Sequence, residues 1–140
     1  MEDLLKKFGL EAKIEKINPK DLKFDLRARW KCKFGCNYYG RPSCPPNVPD
    51  FKECVKFVRS YKDAILFRFK SKDVKRIQEF MLEAERSVKL PFALSTFPTS
   101  CMLCEDCKGC SKARPTLSAL CIDVTSLEPK DDFITILFLQ

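Results

Sequence analysis

The spacing of apolar residues along the chain predicts a fold of alternating helices and strands. The longest helix is expected over 74–89, where apolar side chains recur every three or four residues and Asp73 can cap the first turn. Shorter helices are expected over 2–8, over 51–61 behind the cap Asp50, and over about 115–121. Short apolar or alternating runs between turn residues predict strands at 11–17, 22–27, 64–69, 92–97 and 133–139.

This order of elements favours one α+β domain covering residues 1–140. A strand, a long helix and another strand follow one another between 64 and 97, which indicates a right-handed crossover joining two parallel strands. The expected architecture is a single small mixed sheet with helices packed on it and two cysteine-bearing metal-binding loops. The first loop is expected over 30–49, where three cysteines, two glycines and four prolines disfavour regular structure, and the second over 98–114.

Nine cysteines and no histidine define the chemistry that the chain can carry. A secreted disulfide scaffold usually has an even number of cysteines in a sequence poor in core residues, whereas this number is odd and 45% of the residues are hydrophobic. The absence of histidine excludes Cys/His zinc fingers, catalytic triads that contain histidine, and histidine-ligated catalytic zinc. A metal bound here therefore has thiolates as its main ligands.

The sharpest motif is a run of four cysteines at two-residue spacings: Cys101, Cys104, Cys107 and Cys110. Bacterial ferredoxins use C-x2-C-x2-C spacing to wrap the chain around an iron–sulfur cluster, so that each thiolate reaches a different iron. Zinc ribbons instead bring together two C-x2-C knuckles that are separated by about 15–20 residues. The spacing therefore favours one or two [4Fe–4S] clusters, with zinc as the alternative cofactor.

A second group consists of Cys32, Cys36 and Cys44, and two prolines follow Cys44. Proline after a ligating cysteine occurs beside ferredoxin clusters and stiffens the loop. Four cysteines plus three can make one complete cluster and a second with an iron that lacks a thiolate, or both groups can share one site; the spacing leaves both arrangements open. Cys54 and Cys121 fall on apolar helix faces and are interpreted as core residues, with Cys121 retained as a candidate eighth ligand.

The formal net charge of +7 is compatible with a lysine-rich surface, with a nucleic-acid partner or with compensation of an anionic cluster. Trp30, Tyr38 and Tyr39 flank the first cysteine group and are expected to shield a cluster from water, with base stacking as the alternative. No uninterrupted apolar run approaches 18 residues and the N-terminus lacks the apolar segment of a signal peptide. We therefore expect no membrane partner and a cytoplasmic location.

Several of these motifs occur together in a known family. The segments CKFGCNYYGRPSCPP, YKDAILF, CMLCEDC and CSKARPTLSALCIDV, in this order, resemble a family of predicted metal-binding proteins from archaea and anaerobic bacteria, a cysteine-rich domain of unknown function. The resemblance covers about residues 22–127. It implies that the seven cysteines of the two groups form the metal-binding set and that Arg114 and Pro115 match the family's Arg-Pro element. At Cys121 this chain differs, because the family pattern has glycine before the Ile-Asp-Val segment.

Three functions are compatible with these features. The first is a small iron–sulfur protein that transfers electrons, or donates a cluster or sulfur, to a partner redox or sulfur-handling enzyme. The second is an enzyme in which an open cluster iron acts on sulfur or another small ligand; the sequence does not decide whether the protein is an enzyme. The third and least favoured is a zinc-stabilised module that binds nucleic acid.

Overall fold

Four strands form an antiparallel sheet at the centre of the molecule. A computed structural model describes residues 1–105 and 111–140 of the chain. Within these residues the strands are β1 (Ala12–Ile17), β2 (Ala64–Phe69), β3 (Leu94–Ser95) and β4 (Phe133–Phe138), and they lie in the order β1-β2-β4-β3. β2 pairs with β1 on one side and with β4 on the other, so β2 and β4 occupy the central positions.

Helices α1 (Glu2–Lys7), α2 (Arg27–Gly35), α3 (Phe51–Arg59) and α4 (Val74–Ser87) accompany the sheet. The predicted caps begin two of them. Asp50 accepts a hydrogen bond from the Glu53 amide at 2.9 Å, and Asp73 accepts one from the Arg76 amide at 3.2 Å. Short 3-10 helices lie at Pro19–Asp21 and Val124–Leu127. None of the helices in the described ranges is long and apolar enough to cross a membrane.

The sheet separates two hydrophobic clusters, because successive residues of a strand point to opposite faces. On one face, Leu66 of β2 packs in a cluster with Val58 of α3 and with the segment 117–122. On the other face, Phe67 packs in a cluster with α1 and α4, and its ring meets Phe80 of α4 edge-on with centroids 5.5 Å apart. Helices α3 and α4 therefore cover opposite faces of the sheet.

The predicted α+β class and the single small sheet are confirmed. The sheet is antiparallel rather than mixed. β2 and β3 run in the same direction, as the crossover prediction requires, but β4 lies between them and pairs antiparallel with each. The last five residues of β4 are buried, and burial on both faces favours a central position for this strand.

Three segments differ from the predicted elements. In place of the expected strand 22–27, Phe24 forms an isolated bridge with Ile122. Residues 117–121 form turns instead of a helix. Helix α2 extends into the predicted loop 30–49, because all four prolines of that segment follow residue 41 and leave the preceding backbone free to form helical hydrogen bonds.

Candidate metal centre

The first cysteine group lies where α2 ends. Cys32 is in the helix, Cys36 is the residue that caps its C-terminus, and Cys44 is buried in the turn that follows. The side-chain amide of Asn47 closes this turn by donating to the Gly40 carbonyl at 2.8 Å, and the Asn47 backbone amide donates to the Cys44 carbonyl at 3.0 Å. Gly40 has a φ of 93°, a conformation that side chains disfavour, so glycine allows the chain to turn back here.

The three thiols of this group are close enough to affect one another's ionisation. Burial raises the pKa of Cys44 to about 11, and the neighbouring Cys36 and Cys32 add to that shift. Burial, followed by the proximity of Cys36, also raises the pKa of Cys32. Both thiols are therefore protonated at neutral pH in the metal-free chain, and a metal ion has to displace those protons when it binds.

Helix α4 holds the beginning of the second cysteine group, the run Cys101, Cys104, Cys107 and Cys110. The fully buried Gln78 of α4 donates from Nε2 to the Ser100 carbonyl at 2.9 Å and accepts from the Met102 amide at 2.8 Å. Cys101 lies between these two anchored residues, and Cys104 is exposed three residues further along. Both polar groups of one buried side chain thus fix the backbone around Cys101.

The same helix holds the segment that follows the run. Nε and Nη2 of Arg114 donate to the two carboxylate oxygens of Glu85 at 2.9 and 2.7 Å, and the Ser95 amide donates to the same carboxylate at 2.7 Å. Burial alone would raise the pKa of the Glu85 carboxyl, but the hydrogen bonds from Arg114 and Ser95 outweigh burial, and the pKa is lowered. Gln78 and Glu85 are seven residues apart, which places them on one face of α4. That face holds both flanks of the run.

The complete set of ligands stays a prediction. Cys107 and Cys110 lie outside the described residues, in the segment 106–110. In the described ranges, no three Cys, His, Asp or Glu side chains are arranged to hold a metal ion, so the five other predicted cysteines do not form a site as they stand. A metal at either group therefore requires a shift of the thiols or additional ligands from residues 106–110.

The segments that carry the two cysteine groups meet on one side of the molecule. The Thr116 amide donates to the Ser43 carbonyl at 3.4 Å. Ser43 directly precedes Cys44, and Thr116 follows Arg114 by two residues. A single site shared by the two cysteine groups requires such a contact between the segments beside them. Two neighbouring clusters are equally compatible with this contact.

Two buried hydroxyl groups beside predicted ligands have no hydrogen-bond partner in the described part of the chain. They are Oγ of Ser43, which precedes Cys44, and Oγ of Ser100, which precedes Cys101. Leaving a buried hydroxyl unpaired costs about 1–3 kcal/mol. The sulfur atoms of metal thiolates and iron–sulfur clusters accept hydrogen bonds, and a neighbouring hydroxyl can supply them. The residues present therefore fit a sulfur-rich metal group beside these serines.

Cys54 and Cys121 are fully buried, as expected for core positions. Burial is the main cause that raises the pKa of both thiols. Cys121 has a φ of 63°, in the left-handed region that favours glycine. This backbone conformation gives a physical reason for the glycine that the resemblance implies at this position. The burial of Cys121 does not test its candidacy as an eighth ligand.

The expected aromatic cover over the first cysteine group is wrong for Trp30. Trp30 is 62% exposed, and the Tyr38 and Tyr39 side chains are about 40% exposed (38% and 41%). The Trp30 ring faces solvent instead of closing over the thiols, because α2 has no residue buried against the rest of the molecule. Tyr38 and Tyr39 follow the helix, and Tyr38 lines a cavity together with Cys32 and Cys36.

Sequence reasoning also missed three residues that support the cysteine segments: Arg29, Gln78 and Glu85. Nη2 of Arg29 donates to the carbonyls of Pro49 and Ala119, both at 2.7 Å, and so ties α2 to the end of the first loop. No local signal distinguishes Arg29 from the other basic residues of α2. Gln78 does carry a signal, because it is a polar residue directly beside Ile77 in the apolar stripe of α4.

Comparison with known proteins supports a metal-binding role. The model of a family described as "Predicted metal-binding protein (DUF2284)" matches residues 15–134, a range that contains both cysteine groups. The resemblance identified from the cysteine and Arg-Pro motifs is therefore confirmed. No curated protein and no solved structure matches the chain.

Proposed function

Because the chain belongs to this family of predicted metal-binding proteins, we propose that it is a small [4Fe–4S] protein. In this proposal it passes electrons, or a cluster or sulfur, to a partner redox or sulfur-handling enzyme in the cytoplasm. The observation that carries the proposal is the run Cys101, Cys104, Cys107 and Cys110, with its flanks anchored to α4. Because its flanks are anchored, the run has fewer conformations to lose when its thiolates converge on a metal group, and the entropy cost of binding is smaller.

The donor chemistry supports iron–sulfur over zinc. Only two residues separate Cys104 from Cys107, so two independent zinc knuckles cannot approach from opposite sides. Consecutive two-residue spacings instead match the way ferredoxin chains surround a cluster. A bound [4Fe–4S] cluster supplies one-electron transfer, and the unpaired hydroxyls of Ser43 and Ser100 are suited to donate to sulfur beside it.

Metal and sulfide content per chain tests the proposal. The protein is purified anaerobically, and iron, acid-labile sulfide and zinc are measured. About four irons with matching sulfide support one cluster, and about eight support two. A colourless protein with stoichiometric zinc contradicts the proposal and supports the zinc alternative.

Two cysteine variants test the assignment of the run. Cys101→Ser is expected to lower the iron content. Cys54→Ser is the matched control and is expected to keep it, because Cys54 is a core residue and its Sγ lies 3.3 Å from the Pro49 carbonyl, which can accept from a serine hydroxyl. Equal iron content in the two variants contradicts the ligand role of Cys101.

Electron paramagnetic resonance of the reduced protein distinguishes electron transfer from the enzyme alternative. A spectrum that sulfide does not change supports a cluster fully ligated by thiolates and a role as carrier or donor. A spectrum that changes on addition of sulfide supports an iron with an open position, and then the enzyme hypothesis replaces the carrier hypothesis.

A further inference from the structure

Helix α2 presents two large apolar side chains to solvent. Trp30 is 62% exposed and Phe34 is 71% exposed, and no residue of α2 is buried. The two rings contact each other with centroids 5.5 Å apart, so they form one patch, which we call the Trp30–Phe34 patch. An apolar patch of this kind on an otherwise polar helix marks an interaction surface.

Positive charge surrounds the Trp30–Phe34 patch. Residues 27–35 contain four basic residues and no acidic one. Arg27 is paired with Asp25 at 2.7 Å, and Arg29 is occupied by two backbone carbonyls. Lys31 and Lys33 have no ion-pair partner in the described ranges, so their charges are available to an incoming molecule. An aromatic centre with a cationic rim complements an acidic partner.

The ring faces favour an acidic protein over single-stranded nucleic acid. Base stacking requires aromatic faces that are open to the bases. The Lys33 ammonium lies 5.5 Å from the centroid of Phe34, whose ring also contacts Trp30. The Arg41 guanidinium lies 5.7 Å from the centroid of Tyr38. Phe34 thus contacts both Lys33 and Trp30, which leaves less of its ring faces open to a base, and the exposed surface of the two rings suits the centre of a protein interface, where aromatic residues contribute much of the binding energy.

We infer that α2 is the docking surface for an acidic electron-transfer protein. The inference rests on the proposed function, because the helix also carries predicted ligands of the metal group. Cys32 follows Trp30 by two residues and Cys36 ends the helix. Trp30 and Phe34 are four residues apart on one face of α2, and Cys32 lies on the opposite face, so a protein docked on the Trp30–Phe34 patch is separated from the first cysteine group by the width of one helix, about 10 Å. Lys31 and Lys33 attract its acidic surface.

Calorimetric binding of oxidised flavodoxin, a small acidic flavin protein, tests docking without depending on electron transfer. The double variant Lys31→Glu/Lys33→Glu is expected to weaken binding at low ionic strength about tenfold or more and to reduce the dependence of Kd on salt. The matched control is Lys6→Glu/Lys7→Glu in α1, where both lysines are exposed on the side of the sheet opposite α3. Binding by the control is expected to stay within about twofold of the unmodified protein.

The variant Trp30→Ala tests the apolar centre separately from the charges. It is expected to weaken binding about tenfold while the salt dependence of Kd is retained, because the loss is one of contact area rather than of charge. Trp30 is exposed and makes no core contact, so the fold is expected to tolerate the change.

The second readout is the rate at which flavodoxin hydroquinone reduces the anaerobically purified protein, followed by stopped-flow absorbance. In each encounter the hydroquinone anion loses one electron and becomes the neutral semiquinone, the oxidised cluster gains that electron, and no proton is transferred. Lys31→Glu/Lys33→Glu is expected to slow this step about tenfold. Reduction by dithionite, a small anionic reductant, is expected to be unchanged at high ionic strength, where salt screens its charge.

The outcomes separate failure of the docking surface from failure of the proposed function. A protein without iron overturns the proposed function, and calorimetry still tests the surface. The docking surface is overturned if flavodoxin does not bind at low ionic strength, or if charge reversal at Lys31 and Lys33 has no more effect than the α1 control. It is also overturned if a fluorescent oligothymidylate of about 20 nucleotides binds in place of flavodoxin and the same variants abolish that binding.

Discussion

The pair formed by Glu85 and Arg114 allows a quantitative test of how the second cysteine run is held to α4. We consider Glu85→Gln, which keeps the size of the side chain and removes its charge. The carboxylate accepts two hydrogen bonds from Arg114 and two from Ser95, through its amide at 2.7 Å and its hydroxyl at 3.2 Å. A glutamine keeps one oxygen as acceptor and places an NH2 group against the guanidinium or the serine.

The expected loss is about 2–3 kcal/mol in the free energy of unfolding. Removing one partner of a buried ion pair costs about 3–5 kcal/mol, and a hydrogen bond to a charged group contributes about 1.5–3 kcal/mol. The Arg114 and Glu85 side chains are 18% and 16% exposed, so solvent screens part of this cost. The Ser111 carbonyl, 2.7 Å from Nη1 of Arg114, also remains as an acceptor.

Urea unfolding of the anaerobic protein, followed by far-ultraviolet circular dichroism, measures this loss. With an m-value of about 2 kcal/mol per molar urea, the midpoint is expected to fall by about 1–1.5 M. The matched control is Glu83→Gln in the same helix, because Glu83 forms an exposed pair with Arg86 at 3.1 Å. Such a pair contributes about 0–1 kcal/mol, so the control midpoint is expected to change little.

The pH dependence supplies a second criterion. The pKa of Glu85 is lowered in the folded chain, so the stability it contributes is present above its unfolded pKa and is lost as pH falls through the folded pKa. This part of the acid destabilisation is expected to be absent in Glu85→Gln. The reasoning is refuted if Glu85→Gln and Glu83→Gln have the same midpoint at neutral pH.

Three further predictions concern other buried groups of the molecule. Gln78→Leu leaves the Ser100 carbonyl without its buried donor. In the proposed iron–sulfur protein this variant is expected to release iron to a chelator about tenfold faster or more. An unchanged rate contradicts the anchoring role of Gln78. Thr96→Val removes the buried hydroxyl that bonds both the amide and the carbonyl of Ile136 at 2.8 and 2.9 Å, with an expected cost of about 2–3 kcal/mol by urea unfolding. In the metal-free chain, burial raises the pKa of Cys44 to about 11, so Cys44 is expected to lower the free energy of unfolding by up to about 2 kcal/mol between pH 9 and 11. Cys44→Ala is expected to show a correspondingly smaller decline, and the part that remains comes from the raised pKa values of Cys32, Cys54 and Cys121.

The predicted elements agree with the structure where their signals are local. The helix expected over 74–89 is observed as Val74–Ser87, because its cap Asp73 and its apolar stripe are contained in the helix itself. Helix α2 has no such stripe and buries no residue, so its pattern gives no helical signal. Arg29 attaches it through hydrogen bonds to Pro49 and Ala119, which are 20 and 90 residues away.

The sequence by itself determined which ligand chemistry is predicted for the candidate site. Thiolate ligation is predicted from the cysteine content, the absence of histidine and the spacing of Cys101, Cys104, Cys107 and Cys110, because ligand type is a property of the side chain and close spacing restricts how a chain can surround a metal. The family match agrees with that chemistry at the level of metal binding.

Only the tertiary structure decided what surrounds the cysteines. The partners of Gln78 and Glu85 lie 22 and 29 residues away, and β4 enters the sheet between strands that precede it in sequence. Such contacts depend on which strands pair and which helix face meets the sheet, and these choices are made by burial over the whole chain rather than by any local pattern. The exposure of Trp30 on a helix that carries a predicted ligand has the same origin.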